Sequence, residues 1–404
     1  MPSREKSLGT DEAFMRLRFG LLTLLLAVSC KHPSHSSPPG ASAAVNAKAS
    51  APVVTGQPAL GAFDLTSTDS GAALVSLDAT RTGLALTRLD ARGRAQATEP
   101  LFDAKASDAP RGVTELSEVA AASLGGDLDV VWVEKSAQGA HARGLLRPLQ
   151  ARGGAPLQDL SAVQLPIAAP RGNVAIGSSD GHFLVLSRRE KTACADSNQS
   201  DCIGFDLFRQ EASGSARTGT PLAVPLPCEQ NSVSFAVSGR RWYYGVCSRS
   251  TGKPLTTLFS IQSEPAYARA DRILEGCLPL GATAQGGDLI VIGECGGQRE
   301  GLRVRGGNAA LEEARVDRLE VVCDAGKPLI RQLGAGGLNL PLDERRDRLE
   351  AFLPPALSPP NARAVWTGEA LLIASPTRSG DGTRPQVTLK SYRCDSTLLR
   401  EMTP

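Results

Sequence analysis

The stretch Ser123–Val133, which reads SLGGDLDVVWV, contains the pattern that decides the fold. A Gly-Gly turn is followed at once by an almost continuous apolar run of valines and a tryptophan. Residues of these types prefer β-strands, and a strand that is apolar on both faces is buried on both faces. The stretch therefore predicts a tight hairpin whose second strand lies inside the protein.

Six other stretches repeat this turn and apolar strand: Ser67–Leu77, Ser178–Leu186, Ser238–Cys247, Gln285–Cys295, Trp366–Ala374 and, more weakly, Val322–Leu333. The turn glycines of the seven stretches are separated by 39 to 58 residues: Gly71, Gly126, Gly181, Gly239, Gly287, Gly326 and Gly368. The best helical candidate, Glu312–Val321, alternates well enough to be a strand. The chain is therefore predicted to be all-β.

A period of 40–50 residues with several short strands per unit is typical of propeller blades. From about Leu60 to the end, the chain resembles β-propellers in period and pattern, without a WD dipeptide, Asp-box or kelch motif. The resemblance implies about seven blades, with each apolar run as an inner strand between neighbouring blades. The weaker polar hairpins, such as Leu84–Leu89, are expected to be outer strands. Two β-sandwich domains are the alternative.

The N-terminal segment contains an export signal. Arg16 and Arg18 precede the apolar run Phe19–Val28, which is too short to span a bilayer and has the length of a signal-peptide core. The stretch Met15–Cys30 resembles the lipobox of bacterial lipoproteins. The resemblance implies cleavage before Cys30 and attachment of lipid, including an acyl chain such as palmitate, at the new N-terminus. A plain cleaved signal peptide is the alternative.

Asp11 and Glu12 do not suit a targeting segment, so Met15 is predicted to be the true start. Residues 1–29 then form the leader, residues 30–59 the lipidated cysteine and a flexible linker rich in Pro, Ser and Ala, and residues 60–404 the propeller-like domain. The linker has too few apolar residues to fold and is expected to act as a disordered tether. This arrangement predicts a bacterial envelope protein anchored in the membrane. Under the sorting rule known for lipoproteins, Lys31 favours the outer membrane.

Composition excludes several classes of function. The net charge is +2, and charges of both signs are mixed along the chain, so no basic patch is available for nucleic acid. The glycine-rich segment 334–337 completes neither a dinucleotide fingerprint nor a P-loop, and no cofactor is predicted. The expected partners are the membrane, through the lipid anchor, and an envelope protein or glycan.

Eight cysteines remain when Cys30 is set aside: Cys194, Cys202, Cys228, Cys247, Cys277, Cys295, Cys323 and Cys394. An even number behind an export signal predicts disulfides, and no Cys-x-x-Cys pair suggests a metal site. Two expected pairs flank successive hairpins, Cys228 with Cys247 and Cys277 with Cys295. A third, Cys194 with Cys202, closes a small loop, and elimination leaves Cys323 with Cys394. Buried free thiols are the alternative.

The regular pairing of a hairpin that turns at Gly286-Gly287 places Cys295 opposite Leu278, one position from Cys277. That separation is short enough for a disulfide. The predicted pair therefore depends on the register of this one hairpin.

Few side chains suggest chemistry, and no catalytic or metal-binding residue is predicted. His141 is expected in a polar turn and His182 at the start of an inner strand, and no Gly-x-Ser-x-Gly elbow accompanies them. Five carboxylates occur at the repeated turns and could face one rim: Asp127, Asp129, Asp180, Asp288 and Glu369. Turn chemistry explains aspartates at such positions. A suitably spaced pair is, however, all that a glycosidase needs.

Two further features allow a functional and a structural interpretation. The loop Asp196–Asp201 offers oxygen ligands at alternate positions but lacks the glycine and glutamate of a calcium loop. The cluster Trp242–Tyr244 suits recognition if it is exposed and the core if it is buried. We therefore expect a lipoprotein whose propeller binds or scaffolds a protein or glycan. A polysaccharide hydrolase or lyase that uses rim carboxylates is the alternative.

Overall fold

The computed structural model describes residues 63–402 except for 107–111, 150–156, 160–173, 180, 193–201, 212–217, 224–228, 238–241, 250–254, 264–265, 286–287, 296–297, 306–312, 318, 333–338, 343–348, 355, 360 and 379–384. These residues all belong to one compact unit, 49–404. None of the helices described is long and apolar enough to cross a membrane. The leader, Cys30 and the linker lie outside the described residues.

The first half of the fold consists of three antiparallel sheets, each hydrogen-bonded in chain order. Sheet 1 contains β1 (Phe63–Thr68), β2 (Gly71–Leu77), β3 (Gly83–Asp90) and β4 (Ala95–Asp103). Sheet 2 contains β5 (Val113–Leu124), β6 (Asp127–Ser136), β7 (Gly139–Pro148) and β8 (Leu157–Asp159). Sheet 3 contains β9 (Val174–Ser179), β10 (His182–Thr192), β11 (Cys202–Glu211) and β12 (Thr218–Ala223).

Four more sheets of the same kind follow. Sheet 4 contains β13 (Glu229–Val237), β14 (Trp242–Arg249), β15 (Leu255–Ser263) and β16 (Ala266–Glu275). Sheet 5 contains β17 (Cys277–Gln285), β18 (Asp288–Cys295), β19 (Gln298–Arg305) and β20 (Glu313–Asp317). Sheet 6 contains β21 (Leu319–Asp324), β22 (Lys327–Gln332) and β23 (Asn339–Pro341). Sheet 7 contains β24 (Arg363–Trp366), β25 (Leu371–Arg378), β26 (Pro385–Asp395) and β27 (Leu398–Glu401).

The seven sheets form the blades of a β-propeller. The first strands of sheets 1 to 5 lie beside one another in sequence, and β1 also lies beside β24 of sheet 7. The first strands therefore surround the axis, and the last sheet returns to the first. The prediction of an all-β propeller of about seven blades is confirmed, and the two-sandwich alternative is wrong. The segment that could have been a helix, Glu312–Val321, contributes to strands β20 and β21.

The second strand of sheet 2, β6, is buried on both faces, as its apolar sequence predicts. In β6, Leu128, Val130 and Trp132 pack with sheet 1 residues, whereas Val131 and Val133 pack with sheet 3 residues. Leu84–Leu89 lies in β3, and the hairpin that it begins supplies the third and fourth strands of sheet 1, on the outer side of the apolar strand β2. The expectation that this hairpin contributes outer strands is confirmed, although β3 is mostly buried and only β4 is exposed.

The turns from a first to a second strand that the structure describes in full, in sheets 1, 2, 6 and 7, lie at the same end of the propeller, which we call the turn rim. Gly126 and Gly368 have φ angles of +88° and +96° in two of these turns, a conformation that glycine adopts without steric cost. Gly239 and Gly287 lie outside the described residues. The opposite end, where the chain enters each first strand, is called the connection rim.

An additional segment of the chain packs between sheets 6 and 7. A segment with a short 3-10 helix, Glu350–Phe352, precedes β24. Its side chains Leu349, Phe352 and Leu353 are fully buried and pack with apolar residues of sheets 5, 6 and 7. This segment, which we call the wedge, supplies apolar volume beside a sheet that has three strands in the described part of the chain.

The structure contains two of the predicted disulfides. Cys277 and Cys295 join β17 to β18, and Cys323 joins β21 to Cys394 of β26. The predicted register of the first pair is wrong, because a bulge between Pro279 and Gly281 places Cys295 directly opposite Cys277. A bulge adds one residue to one strand and so shifts the pairing beyond it.

Cys194 and Cys228 lie outside the described residues, so their pairs with Cys202 and Cys247 stay predictions. Disulfides persist in oxidising compartments. The two disulfides that the structure contains therefore indicate an extracytoplasmic protein.

Candidate functional site

The turn rim carries the described carboxylates that the sequence selected. Asp127 begins β6, Asp129 follows it on the same strand, and Glu369 lies in the turn between β24 and β25. Asp288 begins β18, and Asp180 lies outside the described residues. The common position follows from topology, because each of these residues sits beside a turn from a first to a second strand.

Asp127 and Asp129 share one face of β6. Side chains alternate along a strand, and Val131 and Val133, which continue the same alternation, pack with residues of sheet 3. The two aspartates therefore face sheet 3, with Cα atoms about 7 Å apart. This part of the rim, between sheets 2 and 3, is called the Asp cleft.

The two aspartates differ in exposure. Asp129 is 0% exposed, whereas Asp127 is half-buried. Burial raises the pKa of the Asp127 carboxyl above its ordinary value, because desolvation disfavours the ionised form. Of these two aspartates, Asp127 is therefore the accessible one, and its carboxyl binds a proton more tightly than a free aspartate does.

Serine hydroxyls join the first strands near the same rim. The Ser123 hydroxyl donates to the Ser67 carbonyl oxygen of sheet 1. The Ser178 hydroxyl of sheet 3 donates to the Ser123 carbonyl oxygen of sheet 2 at 3.0 Å. Sequence reasoning missed this ladder, although its signal is present, since each serine lies three or four residues before a turn glycine. The ladder fixes the strands that border the Asp cleft.

Glu369 lies elsewhere on the rim, beside sheet 1. Its Oε2 atom is 3.5 Å from Arg92 Nε, and both side chains are more than half exposed. An ion pair this exposed contributes little to stability. The neighbouring Thr367 hydroxyl donates to the Ala91 carbonyl oxygen at 2.7 Å. This second contact holds the turn of sheet 7 against the last turn of sheet 1.

Three carboxylates that the sequence did not single out accept hydrogen bonds from backbone amides of first strands. The backbone amide of Ala121 donates to Asp64 Oδ2 at 2.8 Å. The amide of Val174 donates to a Glu118 oxygen at 3.5 Å, and the amide of Ala364 donates to Glu350 Oε2 at 3.2 Å. The first strand of each sheet has an edge with no further strand to pair with. These carboxylates satisfy amides of such edges.

Arg363 links two of these carboxylates. Its Nε atom lies 3.3 Å from Asp64 Oδ1, and its Nη1 atom lies 3.8 Å from Glu350 Oε1. Nη1 also donates to the Ala362 carbonyl oxygen at 3.0 Å. Asp64 is almost fully buried. Ion pairing and amide donation therefore account for this carboxylate group, and its arrangement is structural.

Neither histidine contributes to the Asp cleft. His141 lies within β7, opposite Glu134, so its assignment to a turn is wrong. His182 begins β10, and the alternation from Phe183 and Val185, which pack with residues of sheet 2, places it on the opposite face. Among the residues that the structure describes, no group of His, Cys, Asp and Glu could hold a metal ion.

Two sequence candidates remain without a structural test. Trp242–Tyr244 lies in β14, as expected for a strand, but the structure describes only the backbone there. The loop Asp196–Asp201, with its oxygen ligands, lies outside the described residues.

Comparisons with known proteins give structural matches only. No family model and no curated protein matches the chain. Trypanosoma rangeli sialidase, in a complex with 2,3-difluoro-KDN, is 10% identical with a TM-score of 0.40, over 78% of this chain and 49% of that one. A thermostable family-43 glycoside hydrolase is 9% identical with a TM-score of 0.34, over 87% and 95% of the two chains.

Prolyl oligopeptidase B from Galerina marginata is 10% identical with a TM-score of 0.43, over 86% of this chain and 51% of that one. The chain thus spans about half the length of the sialidase and the oligopeptidase. At these scores the fold assignment rests on the sheets themselves.

Proposed function

We propose that this protein is an envelope lipoprotein, anchored through Cys30, whose propeller binds a glycan at the turn rim without cleaving it. The single observation that supports binding over hydrolysis is the different exposure of the two aspartates in the Asp cleft. Asp127 reaches solvent and can accept hydrogen bonds from sugar hydroxyls. Asp129 is 0% exposed and cannot activate a water molecule where it lies.

Polysaccharide hydrolysis is the second candidate function. Two carboxyls at suitable spacing, one with a raised pKa, are what a glycosidase requires. Burial raises the pKa of the Asp127 carboxyl above its ordinary value, which is the direction that a general acid requires, and Asp129 is the second carboxyl on the same face. Hydrolysis would require Asp129 to become accessible when substrate binds.

One experiment separates the two functions. Full-length protein in detergent is incubated with purified peptidoglycan sacculi and with soluble glucans, and both the retained protein and new reducing ends are measured. Binding predicts retention without reducing ends, and a severalfold loss of retention in Asp127→Asn. Asp103→Asn, an exposed aspartate on the connection rim, is the matched control and is expected to bind like the wild type.

New reducing ends that disappear in both Asp127→Asn and Asp129→Asn would overturn binding in favour of hydrolysis. Equal retention of the wild type and Asp127→Asn would exclude the Asp cleft. The anchor is tested separately by labelling cells with palmitate. We expect label on the wild type and none on Cys30→Ser.

A further inference from the structure

The boundary between sheet 7 and sheet 1, which we call the closing seam, differs from the other boundaries of the ring. Successive sheets are connected through the chain, whereas sheet 7 is the last sheet and sheet 1 the first. The described strands of each sheet also come from one continuous part of the chain, so none of the strands that the structure describes is shared across the closing seam. Side-chain contacts therefore close the ring there.

Those contacts form a mainly apolar layer with few polar links. Residues of β1 such as Phe63 and Leu65 pack with Val365 and Leu372 of sheet 7. Gly93, in the last turn of sheet 1, approaches sheet 7 so closely that a Cβ atom there would lie 2.7 Å from Leu372 Cδ2. The layer can separate as a surface without any strand leaving its own sheet.

Asp64 is a polar link that joins sheet 1 to both of its neighbouring sheets. Its Oδ2 atom accepts from the Ala121 amide of sheet 2, and its Oδ1 atom pairs with Arg363 of sheet 7. One buried carboxylate on sheet 1 thus contacts both neighbouring sheets. Loss of one partner of a buried pair is costly, because the remaining charge loses its counterpart.

Sheet 7 is held more firmly on its other side. The Cys323–Cys394 disulfide joins it to sheet 6, and the wedge packs with apolar residues of sheets 5, 6 and 7. A force that separates the ring at sheet 7 therefore meets a covalent bond on one side and none on the other.

We infer that the closing seam is a built-in opening point of the propeller and that Asp64 is its latch. When the Asp64–Arg363 pair is broken, sheet 7 stays with sheet 6 and separates from sheet 1, while the blades remain folded. The opened ring exposes Phe63, Leu65, Val365 and Leu372 to solvent. This is a local opening, which proteins undergo below their global unfolding energy.

Hydrogen exchange of the full-length protein tests the latch. In Asp64→Asn we expect the amides of β1 and β24 that point away from β2 and β25 to exchange on the order of ten to a hundred times faster, with amides of β10 unchanged. Glu134→Gln is the matched control, since this carboxylate is also buried and its partners among the described residues, Trp132 and Arg143, both lie in sheet 2. It is expected to leave the exchange of β1 and β24 unchanged.

A reversible lock provides the second measurement. A Cβ atom built on Gly93 would lie 3.5 Å from Ser391 Cβ of sheet 7, within the range for a disulfide. Gly93→Cys with Ser391→Cys, added to Asp64→Asn, should restore slow exchange in β1 and β24 under oxidising conditions, whereas Gly93→Cys with Ser391→Ala should not. Both variants keep the native disulfides and share the strain of a non-glycine residue at φ +84° and its close contact with Leu372, so their comparison isolates the lock.

Equal acceleration in all sheets of Asp64→Asn would overturn the inference, because it would mean lower global stability only. So would an oxidised lock that leaves fast exchange in place. If Asp64→Asn does not fold, Arg363→Gln removes the same pair from a side chain that is one-third exposed. The same selective acceleration in β1 and β24 is then expected.

Discussion

The two boundaries of sheet 7, toward sheet 6 and toward sheet 1, are held together by different kinds of interaction. Toward sheet 6, the ring is held by the Cys323–Cys394 disulfide and by the buried wedge. Toward sheet 1, it is held by an apolar layer, the ion pair between buried Asp64 and partly exposed Arg363, and the Thr367 hydroxyl. The comparison shows that covalent closure and non-covalent closure coexist within one ring. We expect the covalent closure toward sheet 6 to determine the free energy of global unfolding, and the non-covalent closure toward sheet 1 to determine the free energy of local opening.

Removing the disulfides is expected to have the largest effect. The Cys323–Cys394 loop spans 71 residues and the Cys277–Cys295 loop 18. The chain-entropy model then gives losses of about 4 and about 3 kcal/mol for the paired Cys→Ser variants. Urea unfolding of both variants measures the difference. A larger loss of stability from removing Cys277–Cys295 than from removing Cys323–Cys394 would contradict the expectation that the disulfide between sheets 6 and 7 stabilises the protein more than a disulfide within one hairpin.

Matched leucine deletions compare the apolar contacts of the two boundaries. Leu349→Ala in the wedge and Leu65→Ala at the closing seam each remove a side chain that is at most 1% exposed. Each is expected to cost about 3 kcal/mol, with a spread set by how far the site can collapse. If Leu65→Ala costs clearly less than Leu349→Ala in urea unfolding, the seam relaxes more easily than the wedge. A larger loss of stability from Leu65→Ala than from Leu349→Ala would contradict the expectation that the contacts toward sheet 1 are the weaker ones.

Single hydroxyls are expected to have smaller effects. Thr367→Val removes a donor to Ala91 and an acceptor for the Ala370 amide, and we expect a loss of about 1–2 kcal/mol. Ser178→Ala removes one rung of the ladder between sheets 2 and 3, for about 1 kcal/mol. Thermal unfolding and the exchange of β24 amides measure both. Faster β24 exchange should accompany only Thr367→Val, and its appearance in Ser178→Ala would contradict a local role.

The smallest effect is a pH dependence in the Asp cleft, which lies away from both boundaries. Burial raises the pKa of Asp127 above 3.8, so the folded state favours the protonated form. The resulting stability is fully present below pH 3.8 and is lost as pH rises through the raised value. Asp127→Asn should therefore be more stable than the wild type at pH 7, by about 0.5 kcal/mol or less.

Urea unfolding of Asp127→Asn at pH 3 and pH 7 makes this comparison, with Asp103→Asn as the control. The gain is expected to vanish at pH 3. An equal gain at both values would show that desolvation of Asp127 is not its cause.

Much of the fold could be predicted because it depends on local pattern. The Gly-turn hairpins gave the number of blades and the position of each second strand, since a strand between two blades must be apolar on both faces. The carboxylates beside those turns were placed on one rim for the same reason. The predicted register of the Cys277 hairpin is wrong. A signal for the bulge was nevertheless present, because Pro279 and Gly281 flank it, and proline or glycine inside a strand often marks a bulge.

The candidate site was only half predictable. The sequence selected Asp127 and Asp129 together, and alternation on one strand was enough to place them on one face. Their unequal exposure depends on how closely sheet 3 packs against β6, which involves residues about 50 positions away. Asp64 and Arg363 were not singled out, because their partnership joins the two ends of the chain.

The sequence by itself determined an all-β chain with a repeated hairpin and cysteines suited to an oxidising compartment. These properties follow from residue types and their spacing along the chain. Only the tertiary structure decided how the ring closes, which carboxylates hold it together and which aspartate reaches solvent. Each of these depends on contacts between sheets. A hydrogen bond or ion pair between two sheets does not produce a periodic pattern in the sequence, so it cannot be recognised there.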